Sequence, residues 1–212
     1  MKLAELRQHY ALESLSENDV RPDPVAQFAF WFEEARASQI LEPNAMTLAT
    51  ATLDGRPGAR TVLLKDFGNQ GFTFFTNYES QKGLDLAENP KAALLFTWLD
   101  LQRQIRIEGT VEKIAAEESL AYFQSRPRES QIGAWASPQS QVIEGREVLE
   151  KREKEVELKF SGVEKLPLPH NWGGYRVIPE VFEFWQGRMS RLHDRILYTK
   201  VGDGWKIERL AP

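Results

Sequence analysis

The sequence predicts a mainly β protein, an antiparallel barrel with helices packed around its outside. Three observations predict it. Strand-like runs are grouped as hairpins and meanders, helical stretches are inserted between those groups instead of alternating with single strands, and Arg103–Ile114 alternates cleanly through Gln104, Arg106 and Glu108. A doubly wound parallel sheet would need the alternating order that is missing.

Met1–Tyr10 reads as part of a short helical arm (about residues 1–20), and Pro22 and Pro24 punctuate the loop after it. Val25, Phe28, Phe32, Ala35 and Ile40 recur near helical spacing over Val25–Leu41, which Pro43-Asn44 ends. Met46–Leu53, a turn at Asp54-Gly55, Arg60–Lys65 and Gly71–Thr76 read as strands and their connections. Ser80–Glu88 predicts a short helix stopped before Pro90, with strands after it at Ala92–Trp98 and Arg103–Ile114. Ala115–Ser125 predicts a helix halted by Pro127, and Glu144–Phe160 a charged, solvated helix. The alternation Val181-Phe-Glu-Phe-Trp185, the run Ile196-Leu-Tyr198 and a hairpin at Gly202-Asp-Gly204 close the sheet. With no repeat, low-complexity tract or break in composition, residues 1–212 are expected to form a single domain.

Composition excludes several function classes. A net charge of −4 argues against a general nucleic-acid binder, which needs a broad cationic face, but leaves room for a small anionic ligand. The absence of cysteine removes disulfides, thiolate nucleophiles and thiolate metal sites. The mixed-charge N-terminus does not read as a secretory signal, and no run approaches the roughly 18 apolar residues of a membrane span. A cytoplasmic protein without a membrane partner is expected. His9, His170 and His193 are far apart and show no H-x-x-x-H spacing, so no metal site is expected. Dinucleotide, P-loop and nucleophile-elbow glycine motifs are missing too. If the protein is an enzyme, an organic cofactor held by side chains carries its chemistry.

Four groups of side chains could hold such a ligand. Arg60 and Lys65 share a predicted strand but fall on opposite faces, so a common site requires a bend. Ser80 and Lys82 open a helix whose free N–H groups favour phosphate. Tyr122 and Arg126 are one turn apart, Pro127 breaks the chain, and Ser130 can cap the segment after the break. Together they suit an anion clamp or a surface ion-pair corner. Gln139 and Ser140 supply neutral donors from a loop, Gln104 could meet a heterocycle edge, and Trp185 could stack on a flat ring. Strand alternation through Trp185–Arg195 would put Arg191, His193 and Arg195 on one face and Leu192 and Asp194 on the other. Two guanidiniums beside an imidazole call for an anionic or electron-rich partner; the plain alternative is a charged edge strand that blocks aggregation. Jointly, the groups suggest two separate phosphate sites.

Arg60-Thr-Val-Leu-Leu-Lys65, Ser125-Arg-Pro-Arg-Glu-Ser-Gln-Ile-Gly-Ala-Trp135, Ser137-Pro-Gln-Ser140, Trp185-Gln-Gly with Arg191-Leu-His-Asp-Arg195, and the closing Trp205–Pro212 resemble the pyridoxamine 5′-phosphate oxidase family, over about Val25 to Pro212. The resemblance implies an FMN-binding split β-barrel and a homodimer with flavin sites at its interface. It implies oxidation of pyridoxamine or pyridoxine 5′-phosphate by O2 to pyridoxal 5′-phosphate, with H2O2 released. By the same resemblance, Arg60, Thr61, Val62, Leu63, Leu64, Lys65, Phe75, Thr76, Gln81, Lys82, Gln104, Gln139, Ser140, Trp185 and Arg195 are expected to hold FMN. Lys65, Tyr122, Arg126 and Ser130 are expected on the substrate phosphate, with Arg191, Leu192 and His193 at the substrate ring and Arg7 and Tyr10 folding over the pocket. Arg191 and His193 are the expected catalytic pair. The family often has Ser-Arg-Lys where this chain has Ser80-Gln81-Lys82, so Gln81 removes a charge near the expected FMN phosphate. Two other readings stay open: a split-barrel flavin reductase with another substrate, and a non-enzymatic binder of FMN or pyridoxal phosphate.

Overall fold

Alternation along one strand organises the sheet. In Arg103–Lys113 (β6), Ile105, Ile107 and Val111 point into the core, while Gln104, Arg106 and Glu108 sit half-exposed on the opposite face. A computed structural model describes residues 12–212. The strands before β6 are Ala45–Ala51 (β1), Pro57–Leu63 (β2), Asp66–Gly68 (β3), Gly71–Asn77 (β4) and Lys91–Trp98 (β5); those after it are Trp172–Gln186 (β7), Asp194–Val201 (β8) and Gly204–Arg209 (β9). They form one sheet in the order β2-β1-β5-β6-β7-β4-β3, with β8 on β7 and β9 on β8, every pair antiparallel. Among the described residues, five α-helices lie outside it: Pro24–Ala37 (α1), Gln81–Glu88 (α2), Ala116–Ser125 (α3), Arg128–Ala136 (α4) and Arg146–Lys159 (α5). The mainly β, antiparallel architecture with peripheral helices is the one the sequence predicts.

β7 is the longest strand, 15 residues. Its first half pairs with β4 and its second half with β8, while β6 runs beside nearly all of it. Glu108 pairs with Val181 and Gly109 with Pro179, so Glu180 is an extra residue at a bulge. Proline has no N–H to give a ladder, and a bulge is one place in a sheet that tolerates this. Gly109 is required there by space, because a Cβ would lie 2.0 Å from the Ile178 carbonyl oxygen.

The main core joins the inner faces of β1, β5, β6, β7 and β8 through Leu48, Leu94, Phe96, Ile107, Phe182, Phe184 and Ile196. Asp23 caps α1 by accepting the N–H groups of Val25 and Ala26, with Pro24 at the first helical position. That entry aims Phe28 into edge contacts with Phe67, Phe72 and Phe96. A second cluster of Phe123, Ile132, Phe160, Leu166 and Trp172 packs α3, α4 and α5 on the start of β7.

The structure corrects several expectations. The strand expected over Arg60–Lys65 ends at Leu63, and Lys65 lies in the connection to β3, its N–H bonded to the Thr73 carbonyl. Arg128–Ala136 is a helix, and Ser130 lies within it instead of capping it. Arg191 and His193 are not on a strand with Arg195. Met189–Arg191 makes a 3-10 turn with Ser190 and Arg191 at φ 57° and 62°, and β8 begins only at Asp194. Left-handed backbone breaks the two-residue period on which the shared face depended. Residues 12–20, the described end of the expected arm, form bends and turns and no helix.

Candidate functional site

The first group of donors surrounds the start of α2. Ser80 caps the helix, and Lys82 reaches back so that its Nζ donates to Gln139 Oε1 at 2.8 Å, Thr76 Oγ1 at 3.1 Å and Ser80 Oγ at 3.3 Å. Burial, and then the charge of Arg60, hold the Lys82 ammonium below the ordinary lysine range. Gly83 lets this turn press on the preceding chain, since a Cβ would lie 2.1 Å from the Tyr78 carbonyl oxygen. Arg60 Nη1 donates to Thr50 Oγ1 at 2.7 Å, and its Nη2 stands 3.7 Å from buried Asp85. Gln81 donates its amide to Asp85 at 2.8 Å. Burial works against ionising Asp85, but the hydrogen bonds from Thr50 and Gln81 and the charge of Arg60 outweigh it and lower its pKa.

The second group lies where Pro127 separates α3 from α4. The Tyr122 ring stacks on Phe75 with centroids 3.9 Å apart, and Trp172 continues the stack 5.4 Å from Phe75. The Arg126 guanidinium lies 4.9 Å over Trp172, and its Nη1 is buried with no hydrogen-bond partner. Burial lowers its pKa. Arg126, Ser130, Gln139 and Trp172 line one cavity of about 270 Å³. Gln139 belongs to both groups, because it also accepts from Lys82. A buried guanidinium nitrogen left without an acceptor, beside an open cavity, is the arrangement an incoming anion completes.

The third group is a row across three strands. Gln104 on β6 is in register with Trp185 on β7, which is in register with Arg195 on β8. Buried Glu183 accepts Arg195 Nε at 2.7 Å with one oxygen and Arg106 Nη2 at 2.7 Å with the other, which raises the Arg195 pKa. The His193 ring packs on Trp185 at 4.6 Å, and its Nδ1 accepts the Arg188 N–H at 3.1 Å. Burial, helped by the neighbouring charge of Arg191, lowers the His193 pKa.

The remaining expected residues are dispersed. Thr61, Lys65, Ser140, Arg191 and Leu192 are exposed, Val62 and Leu63 are half-buried, and Leu64 is buried. Arg7 and Tyr10 lie outside the described residues. Trp172 in the second group and Trp185 in the third sit 13 residues apart on β7, roughly 40 Å along the strand. The third group is thus set at the far end of that strand from the second. Sequence reasoning alone misses Glu183, Arg188, Asp85 and Trp172. The Val181–Trp185 alternation does hold a signal for Glu183, since it puts an acid on the face of Trp185. Among the described residues no group of His, Asp and Glu gathers as a metal site, and no helix is long and apolar enough to cross a membrane.

Residues 32–160 match the family model described as pyridoxamine 5′-phosphate oxidase, and residues 172–212 match the pyridoxine 5′-phosphate oxidase C-terminal dimerisation region. The chain is 60% identical to a pyridoxine/pyridoxamine 5′-phosphate oxidase of Cupriavidus pinatubonensis, covering 100% of this chain and 99% of that protein. It is 59% identical to the protein of that name from a Nostoc species, over 99% and 98%. The crystal structure of PhzG from Burkholderia lata 383 in complex with tetrahydrophenazine-1-carboxylic acid superposes with a TM-score of 0.87 at 30% identity, over 95% of this chain and 99% of that one. A pyridoxamine 5′-phosphate oxidase-related, FMN binding protein from Nostoc punctiforme shares the fold at a TM-score of 0.70 and 19% identity, over 94% and 99%. By sequence over its whole length and by split-barrel fold, this chain belongs to the pyridoxamine 5′-phosphate oxidase family.

Proposed function

We propose that the protein is an FMN-dependent oxidase that converts pyridoxamine 5′-phosphate or pyridoxine 5′-phosphate to pyridoxal 5′-phosphate, with O2 taking two electrons and two protons and leaving as H2O2; for the amine, water enters and ammonia leaves. The observation that carries this reading is the unpartnered, buried Nη1 of Arg126 in a cavity next to the separate Lys82–Arg60 cradle. Two cationic sites joined by Gln139 suit two phosphates, one on the cofactor and one on the substrate. The donor set therefore fits FMN: Arg60, Thr76, Lys82 and Gln139 for its phosphate, with Gln104, Trp185 and Arg195 as flat and hydrogen-bonding surface for its ring. Bound FMN supplies the hydride acceptor that no amino-acid side chain offers.

Each residue then has a task. Arg126, with Tyr122, Ser130 and Lys65, fixes the substrate phosphate and so the approach of the reacting carbon. Arg191 packs against the substrate ring. His193 accepts a hydrogen bond at Nδ1, so its neutral form carries the proton on Nε2 and offers a donor there. Gln81, already bonded to Asp85, adds little to FMN binding. We read the working unit as a homodimer in which one copy provides the Lys82 and Arg126 groups and the other the Gln104–Trp185–Arg195 row. The match to a dimerisation region and the length of β7 between the groups support that reading.

FMN-loaded protein mixed with pyridoxamine 5′-phosphate in air is expected to yield pyridoxal 5′-phosphate and H2O2 in equal amounts over many turnovers. Flavin that stays oxidised, with no product, would remove the substrate assignment. It would favour a flavoprotein acting on another ring, a reading to which the relative bound to tetrahydrophenazine-1-carboxylic acid gives substance.

A further inference from the structure

Asp194 opens β8 at a point where three separate segments meet. Its Oδ2 accepts the Leu15 N–H at 3.1 Å and Arg188 Nη1 at 3.3 Å, and its Oδ1 accepts Arg209 Nη1 at 2.7 Å. Arg209 also holds Glu17 through two nitrogens, at 2.8 and 2.9 Å, and donates to the Leu15 carbonyl at 3.0 Å. One carboxylate therefore ties the segment around Leu15, the C-terminal strand β9 and the turn after β7.

That turn leads to the residues expected at the substrate ring. Arg188, whose guanidinium rests on Asp194, is also the residue whose N–H bonds His193 Nδ1. Between Arg188 and His193 the backbone passes through Ser190 and Arg191, both left-handed at φ 57° and 62°. Residues with a Cβ persist in that conformation only where their surroundings hold them. The Arg188 side chain anchors one end of the strained turn, and the packing of His193 on Trp185 anchors the other.

We propose that Asp194 is a positioning residue: by holding Arg188 it fixes the Nε2–H tautomer of His193 and the left-handed turn that presents Arg191. The inference rests on the reading of Arg191 and His193 as substrate-facing. An amide in place of this carboxylate keeps one acceptor oxygen but turns an N–H2 toward donors on its other side. Asp194→Asn should therefore release at least one of the tied segments. Arg188→Ala cuts the same link from its other end. Arg209→Ala cuts the ties to β9, Glu17 and the Leu15 carbonyl but leaves the contact between Arg188 and Asp194.

Nitrogen-15 NMR of imidazole-labelled protein tests this directly, because the chain has only three histidines and His193→Asn assigns the signal. In the unsubstituted protein His193 is expected to show an unprotonated Nδ1 and a protonated Nε2. Asp194→Asn and Arg188→Ala are expected to move both signals toward averaged tautomers and to raise the KM for pyridoxamine 5′-phosphate roughly tenfold with a smaller change in kcat. Arg209→Ala is expected to leave the His193 signals in place. Unchanged signals in Arg188→Ala, or an equal disturbance in Arg209→Ala, would overturn the proposal. If Asp194→Asn fails to fold, Arg188→Ala decides. If the unsubstituted protein forms no product, the proposed activity falls, while the NMR signals still report on Asp194.

Discussion

Trp185 and His193 face one another with ring centroids 4.6 Å apart and planes inclined by 40°. The contact covers the imidazole, and Arg191 brings a positive charge near it, so protonation of His193 is opposed by burial first and by repulsion second. In an NMR titration the His193 midpoint is expected below the ordinary value of 6.5, and Arg191→Gln should raise it. Stability shifts with the same sign. Between the lowered folded value and about 6.5 the unfolded chain binds more protons, so stability falls as pH falls through that window and is full above it. The melting temperature of His193→Gln should depend less on pH across that window.

Glu183 is the buried acid between Arg106 and Arg195. Its removal leaves Arg195 without its carboxylate partner and Arg106 with Glu108 alone. Glu183→Ala should cost about 1–3 kcal/mol in urea unfolding, moderated because both arginines reach solvent, and should weaken FMN binding through a loosened Arg195. Flavin fluorescence during FMN titration measures the second effect.

The two phosphate groups should separate by mutation. Arg126→Ala is expected to raise the substrate KM roughly ten- to hundredfold while the protein keeps its flavin, the loss of a charge-assisted bond to phosphate. Lys82→Ala is expected to release FMN more readily, by roughly tenfold in Kd, which equilibrium dialysis would measure. An Arg126→Ala protein that loses its flavin would mean the two sites had been exchanged.

Gly109 sits at the bulge opposite Pro179, with no room for a methyl group. Gly109→Ala should destabilise the fold by about 1–3 kcal/mol through overpacking, seen as a lower urea midpoint with an unchanged slope.

Much of the fold is legible in the sequence where one face of an element is buried and the other wet. The alternation of Gln104, Arg106 and Glu108 with Ile105 and Ile107 marks β6 because burial has the same period. The first half of β7 carries no such signal. Trp172 to Tyr175 are all buried, and two of the four are glycines, which read as loop. The glycine at 174 is there because a Cβ would lie 2.4 Å from Ile114 Cδ1. α4 is hidden by its shortness and by Pro127 and Gly133 within or beside it. The groups at Lys82 and Arg126 can be named because cations and hydroxyls stand close together in the chain. Alternation marks the face of Glu183, but the ties made by Asp194 and Glu183 are hidden, because their partners Leu15, Arg209 and Arg106 are distant in sequence.

The 15-residue β7 also bears on inheritance of activity in mixed assemblies. A copy lacking Arg126 still has an intact Arg195 row, and a copy lacking Arg195 still has an intact phosphate clamp. Co-expressed, the two impaired chains should complement one another, since a mixed pair rebuilds one complete site from its two sound halves and ruins the other. Turnover at low substrate would then be higher in the mixture than in either variant alone. A chain that completed its site by itself would show no such rescue.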